Sequence, residues 1–135
     1  MKKLVPALSA TIMMLGMTSA AYATEWMDCS DATDHVQLGV LLGGLDFAEA
    51  SRVHMKVGEE WWSTDPTVEP GSHPLSIADY FFDWKELHIT VTDADANVIL
   101  GEMHILAAES ESDIAKGGVL SIPGKGVWAV ACEGP

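Results

Sequence analysis

Five histidines, His35, His54, His73, His88 and His104, are the residues of this chain best suited to hold a metal or move a proton. None forms HxxxH or HExxH, the spacings that set two imidazoles on one helix face. His54-Met55 and Met103-His104 place an imidazole beside a thioether, the soft pairing that suits copper. Neighbouring residues on a strand point to opposite faces, however, so His54 and Met55 cannot converge on one ion. Met55 and Met103 are therefore expected in the core. His88 and His104 are expected as cross-strand partners of Glu102 and Glu86.

Asp93, Asp95 and Asn97 are the second metal candidate, with the alternating carboxylates of a calcium loop. An EF-hand loop needs glycine at its sixth position and glutamate at its twelfth, where this chain has Val98 and His104. A calcium site at a β-turn would need a second acidic loop, for which Asp28, Asp31 and Asp34 are the candidates. The competing reading is an ordinary turn, since Asp and Asn bond their own backbone.

Trp61 and Trp62 are the candidate ligand-binding residues, because flat indole faces suit a sugar. With Tyr80, Phe81, Phe82 and Trp84 they concentrate the aromatic residues in mid-chain. The simpler expectation is that adjacent strand residues divide, one Trp entering the core and the other staying half exposed. GxSxG and phosphate-binding glycine loops are absent, and carboxylates are too abundant to single out a pair. The expectation is a non-catalytic protein with no cofactor.

The chain opens as an exported one. Lys2 and Lys3 precede the apolar run Leu4–Met17, and Ala21-Tyr22-Ala23 is a small-x-small cleavage site. This is a bacterial-looking signal peptide over residues 1–23, with periplasm or medium as the destination. The residues before Cys29, Trp26-Met27-Asp28, do not form a lipoprotein box. Cleavage after Ala23 would leave five basic against twenty acidic residues, a formal net charge of −15. Such a surface repels nucleic acid and anionic lipid, so neither is an expected partner. A basic protein, such as a cell-wall hydrolase that it inhibits, or a small ligand is.

Cys29 and Cys132 are the two cysteines, near the ends of the mature chain. In an oxidising compartment they are expected to form a disulfide closing a loop of over a hundred residues.

The elements that must position these residues read as strands. Leu87, Ile89 and Val91 alternate with His88, Thr90 and Thr92, then Asp93–Asn97 turns the chain. Folding about Asp95 would set Leu87 opposite Met103, Ile89 opposite Gly101 and Val91 opposite Ile99. Val36–Leu42, Arg52–Val57, Val119–Ile122 and Val127–Cys132 also alternate. Residues 24–34 read as an irregular lead-in or short edge strand. Asp46–Ser51 is ambiguous and could be one helical turn. Ser63–Ser76, with Pro66, Pro70 and Pro74, reads as a loop, and Ala107–Lys116 as a solvated one. Ile77, Tyr80, Phe81 and Trp84 fall at i, i+3, i+4 and i+7, which suggests a short helix capped by Ser76, with an aromatic strand as the competitor. The expected fold is all-β. It is one antiparallel β-sandwich or small barrel of six to seven strands over residues 24–135, with room for one short helix.

Overall fold

The structure, a computed structural model, describes residues 24–43, 49–83 and 85–134. The proposed signal peptide, residues 46–48 and Trp84 lie outside the described residues, and Glu49–Ser51, half of the segment that could be one helical turn, are strand. Nine strands follow one another: β1 (Glu25–Ser30), β2 (Val36–Gly43), β3 (Glu49–Val57), β4 (Glu60–Ser63), β5 (His73–Phe82), β6 (Glu86–Asp93), β7 (Ile99–Glu109), β8 (Ile114–Ile122) and β9 (Gly126–Glu133). Each pairs with the next, and β9 returns to β1, closing a barrel. The all-β expectation holds. The sandwich and the count of six to seven strands do not, and there is no helix among the described residues.

Closure obeys a parity constraint. An odd number of strands that reverse at every step would bring the last alongside the first in parallel. Here β1 and β9 are antiparallel, so one step elsewhere must fail to reverse. That step is β4 to β5, a parallel pairing of Trp62 with His73 and Ser63 with Pro74. Two parallel neighbours need a connection that carries the chain back along the wall. Residues 64–72 are that connection, which is why a proline-rich loop sits there. Pro74 falls at the start of β5, where a missing N–H is tolerated.

The inner face is one apolar cluster. Met27 and Cys29, then Leu38 and Val40, Val53 and Met55, Leu87 and Ile89, Met103 and Ile105, Leu120 and Val130 alternate with outward residues and are buried. Met55 spans the interior: a Cβ on Gly101 of β7 would meet its Sδ at 3.2 Å. Met55 and Met103 are thus core, as their alternation implies.

The β6–β7 hairpin forms with a different register. Leu87 lies opposite Ile105, Ile89 opposite Met103 and Val91 opposite Gly101, two residues from the expected pairing. Two single-residue steps produce the shift. Asp93 N–H donates to Val98 O, so the turn centres half a residue beyond Asp95. A bulge then places Thr92 opposite Ile99, leaving Leu100 as the extra residue. One step alone would turn every side chain to the wrong face. Together they restore the inward set, which is why alternation identified the faces while missing the partners. Ala96 takes φ 57° in the turn, a left-handed conformation that costs about 1 kcal/mol in a non-glycine residue.

A bulge also explains the helix-like spacing after Ser76. Residues 73–82 are strand β5, pairing with β6 from Leu75↔Asp93 to Phe82↔Leu87, with an extra residue between Ile77 and Asp79. Ile77 and Tyr80 therefore lie opposite Val91 and Ile89, which share the inner face, although they are three apart. The chain around Ala107–Lys116 is likewise more ordered than its acidity implied, because Ala107↔Lys116, Ala108↔Ala115 and Glu109↔Ile114 extend the β7–β8 ladder. Residues 25–30 are a closing strand between β2 and β9.

The β1–β9 seam is short: Asp28↔Glu133, Cys29↔Cys132 and Ser30↔Ala131. Its middle pair is the disulfide, spanning 103 residues. A covalent link there fits an oxidising compartment. The chain-entropy model assigns a loop of this size roughly 4–5 kcal/mol. Reduction, or the Cys29→Ala/Cys132→Ala double variant, is expected to lower stability in urea by about 2–5 kcal/mol. Amides of Ser30 and Ala131 should lose hydrogen-exchange protection before those of β6–β7; an unchanged urea midpoint would contradict this.

Candidate functional site

A histidine between two carboxylates and two indoles occupies the outer wall over β1–β4. His54 points outward because Val53 and Met55 point in. Its Nε2 lies 2.9 Å from Asp28 Oδ1, and its Nδ1 lies 3.6 Å from Glu69 Oε1. Trp26 stacks on the imidazole at 4.5 Å between centroids and 26° between planes. Trp61 approaches edge-on at 5.8 Å. The His54 side chain is only 15% exposed. The Asp28 contact is a hydrogen bond, whereas the Glu69 carboxylate stands just beyond hydrogen-bond distance of the ring.

Asp28 and His54 are on strands that are not paired with each other. They meet across β2 because Gly39 lies between them, paired with Asp28 on one side and His54 on the other. A Cβ on Gly39 would overlap both His54 Nε2 and Asp28 Oδ1. Gln37 Nε2 donates to the same Asp28 oxygen at 3.3 Å.

Glu69 arrives on the return loop. Asp65 organises that loop's start by accepting from Thr67 N–H and Oγ–H, while Arg52 stands 4.0 Å away. The Thr67 hydroxyl, with help from the Thr67 and Val68 amides and Arg52, holds the Asp65 carboxyl below its ordinary value. Further on, Val68 and Glu69 N–H groups donate to Asp65 O, and Ser72 donates to Glu69 O through both its N–H and its Oγ–H, the latter at 2.6 Å. A self-bonded loop of this kind holds Glu69 in place.

Between this loop and β4 lies a cleft of about 360 Å³ lined by His54, Trp61, Glu69, Pro70, Gly71 and Ser72. Its size falls in the range of small-ligand sites, roughly 300–1,000 Å³.

The residues singled out from the sequence are distributed as follows. Cys29 and Cys132 are bonded. Trp61 and Trp62 divide: Trp62 packs against the core, and Trp61 is 38% exposed beside the cleft, with Lys56 Nζ 5.9 Å from its ring. Asp93 Oδ1 accepts from the Asn97 and Val98 N–H groups at 2.7 and 3.1 Å, making the turn itself, while Asp95 and Asn97 are exposed. His104 Nε2 reaches Glu86 Oε1 at 2.6 Å as expected, but the shifted register sets His88 against His104, 5.5 Å between rings, instead of Glu102. His35 lies beside Trp128 and His73 beside Trp62. Among the described residues no three of His, Cys, Asp or Glu are grouped so as to hold a metal ion. Sequence reading missed Trp26, Asp28, Gly39 and Glu69 as partners of His54. A glycine inside an alternating strand was the one available signal, since it marks close approach.

At the β1–β2 turn Asp31 accepts from Thr33 Oγ–H and N–H and from Val36 N–H. These bonds, the Thr33 hydroxyl foremost and the Val36 amide next, lower its carboxyl from 3.8 to about 2.

No family model, no curated protein and no solved structure matches this chain.

Two outcomes are expected. Gly39→Ala should separate Asp28 from His54 and destabilise the protein by about 1–3 kcal/mol in urea, the usual cost of overpacking; a wild-type midpoint with the His54 ring resonances unmoved would contradict it. A carboxyl lowered by folding contributes stability that is full above its unfolded value and lost as pH falls through its folded one. The advantage of wild type over Asp31→Asn in melting temperature should therefore be constant above about pH 5 and shrink between about pH 4 and 2. An advantage that stays constant to pH 2 would contradict the assignment.

Proposed function

We propose that this chain is an exported, non-catalytic binding domain whose small ligand, a saccharide unit, docks on the outer barrel wall against Trp61. The observation that carries the reading is the cleft that joins an exposed indole to the His54 imidazole, the Glu69 carboxylate and Ser72. The indole offers a flat apolar face, and the Glu69 carboxylate offers acceptors for hydroxyl groups at its edge, the combination that a sugar ring satisfies. The inner wall is committed to Met27, Leu38, Met55, Leu87, Ile89, Met103 and Leu120, which makes the outside the place for a ligand. Binding rather than catalysis is supported by His54, whose two ring nitrogens each face a carboxylate, so neither is presented free to a substrate.

Export through the signal peptide, with cleavage after Ala23 and release to the periplasm or medium, is part of the proposal. The disulfide supports it, because such bonds persist in oxidising compartments.

The test is titration of the purified, oxidised protein with a glycan panel, followed by tryptophan fluorescence and calorimetry. At least one glycan should quench and shift the emission, and Trp61→Ala should weaken its binding by about tenfold or more, as expected for removal of the aromatic contact. A silent panel, or binding that survives Trp61→Ala at full strength, would overturn the assignment.

A further inference from the structure

The barrel seam is incomplete at one end. β1 stops at Ser30, opposite Ala131, and the chain then turns through residues 31–35. β9 begins five residues before Ala131, at Gly126. Residues 126–130 therefore have β8 on one side and no β1 residue paired on the other.

The orientation of the backbone follows from the seam. Cys29 and Cys132 are opposed at a Cα–Cα distance of 4.0 Å, the close spacing of a non-hydrogen-bonded pair. The flanking residues Ala131 and Glu133 accordingly turn their N–H and C=O groups toward β1. Alternation gives Ala129 and Val127 the same direction, beyond the end of β1. The turn does not take these groups up, since Asp31 N–H donates to Val36 O and Asp34 N–H to Asp31 O. Val127 and Ala129 are exposed. An unpaired strand edge of this kind is a template for another strand.

The edge opens on a groove of about 740 Å³ whose lining includes Ala129, Ala131, Asp28, Asp34, Gln37 and Glu133. Asp34 and Glu133 are in no ion pair with a described residue. Lys56 Nζ bonds the carbonyl of Asp34, and Lys116 Nζ bonds that of Gly134. The groove thus combines backbone donors and acceptors, small apolar side chains and uncompensated negative charge, in a chain with 20 acidic and 7 basic residues.

The geometry points to a second binding site: the Val127–Ala129 edge of β9 accepts an extended, lysine- or arginine-bearing segment of a partner protein as an added strand. Backbone hydrogen bonds to Val127 and Ala129 align the segment, as in other strand-addition complexes. Its basic side chains lie beside Asp34 and Glu133, which speeds encounter and excludes acidic competitors. This site borders the Trp61 cleft through Asp28, which lines the groove and contacts His54, but it rests on the β9 edge and not on the saccharide reading.

The probe is a synthetic heptapeptide alternating lysine and valine, titrated into the purified, disulfide-bonded protein and followed by calorimetry and amide hydrogen exchange. Ala129 and Val127 amides should exchange quickly in the free protein and gain protection in the complex. N-methylation of alternate peptide amides, which blocks strand pairing, should weaken binding by about tenfold or more, a loss consistent with one or two backbone hydrogen bonds. Ala129→Pro should do the same with its melting temperature retained, because a proline at an open edge removes no ladder bond. Asp34→Asn/Glu133→Gln should weaken binding and flatten its decline between about 50 and 500 mM salt. Absence of binding at millimolar peptide would overturn the proposal. So would equal binding of the N-methylated peptide, which would indicate ionic association only, or equal binding of a glutamate-for-lysine peptide. The exchange and N-methylation results decide the matter even if Ala129→Pro fails to fold.

Discussion

The joining of β1 to β9 is the constraint on which the rest of this structure depends. Nine strands in sequence order can close with an antiparallel seam only if one step does not reverse. The chain places that step at β4–β5, over two residue pairs. The return loop follows from it, and with the loop comes Glu69, delivered to the outer wall at His54. The β1–β2 hairpin sets Asp28 where it can reach across Gly39. The outer-wall cluster thus joins a local hairpin to the loop that the non-reversing step requires. The seam that ties the two ends has only three residue pairs, and a covalent bond sits at its centre.

A barrel whose interior is packed with methionine, leucine, isoleucine and valine leaves its chemistry to the outside. There the ordinary expectation is solvated side chains with weak mutual interactions. This wall departs from it in one place. Removing the side chain at Gly39 creates room for an imidazole and a carboxylate from strands on either side, and Trp26 covers the result. The outcome is an imidazole largely covered on the surface of a β-sheet and held against a half-exposed carboxylate, next to a cleft with an exposed indole. The groove at the open end of the seam has the opposite character: its carboxylates Asp34 and Glu133 remain without ionic partners among the described residues.

Alternation alone was enough to say which residues face inward for β2, β3 and β6, and for β9 it separated the two faces. The period of two survives almost any tertiary arrangement, because burial selects it directly. The pairing of Cys29 with Cys132 was legible for a different reason, since two cysteines allow one intramolecular bond. The division of Trp61 from Trp62 also followed from their adjacency on a strand. What misled were the bulges. The extra residue in β5 set Ile77 and Tyr80 three apart and imitated a helix, and the extra residue in β7 moved the hairpin partners by one.

Only the tertiary structure could decide that the strands close into a ring, that the ring has nine members, and which distant residues meet on its surface. Asp28, His54 and Glu69 belong to β1, β3 and the return loop, and no spacing in the sequence links them. Local physics acts on neighbours along the chain, and fixes direction, face and turn. Adjacency across the barrel is set by closure, which depends on strand count and on a single non-reversing step, and neither is written in any one stretch of residues.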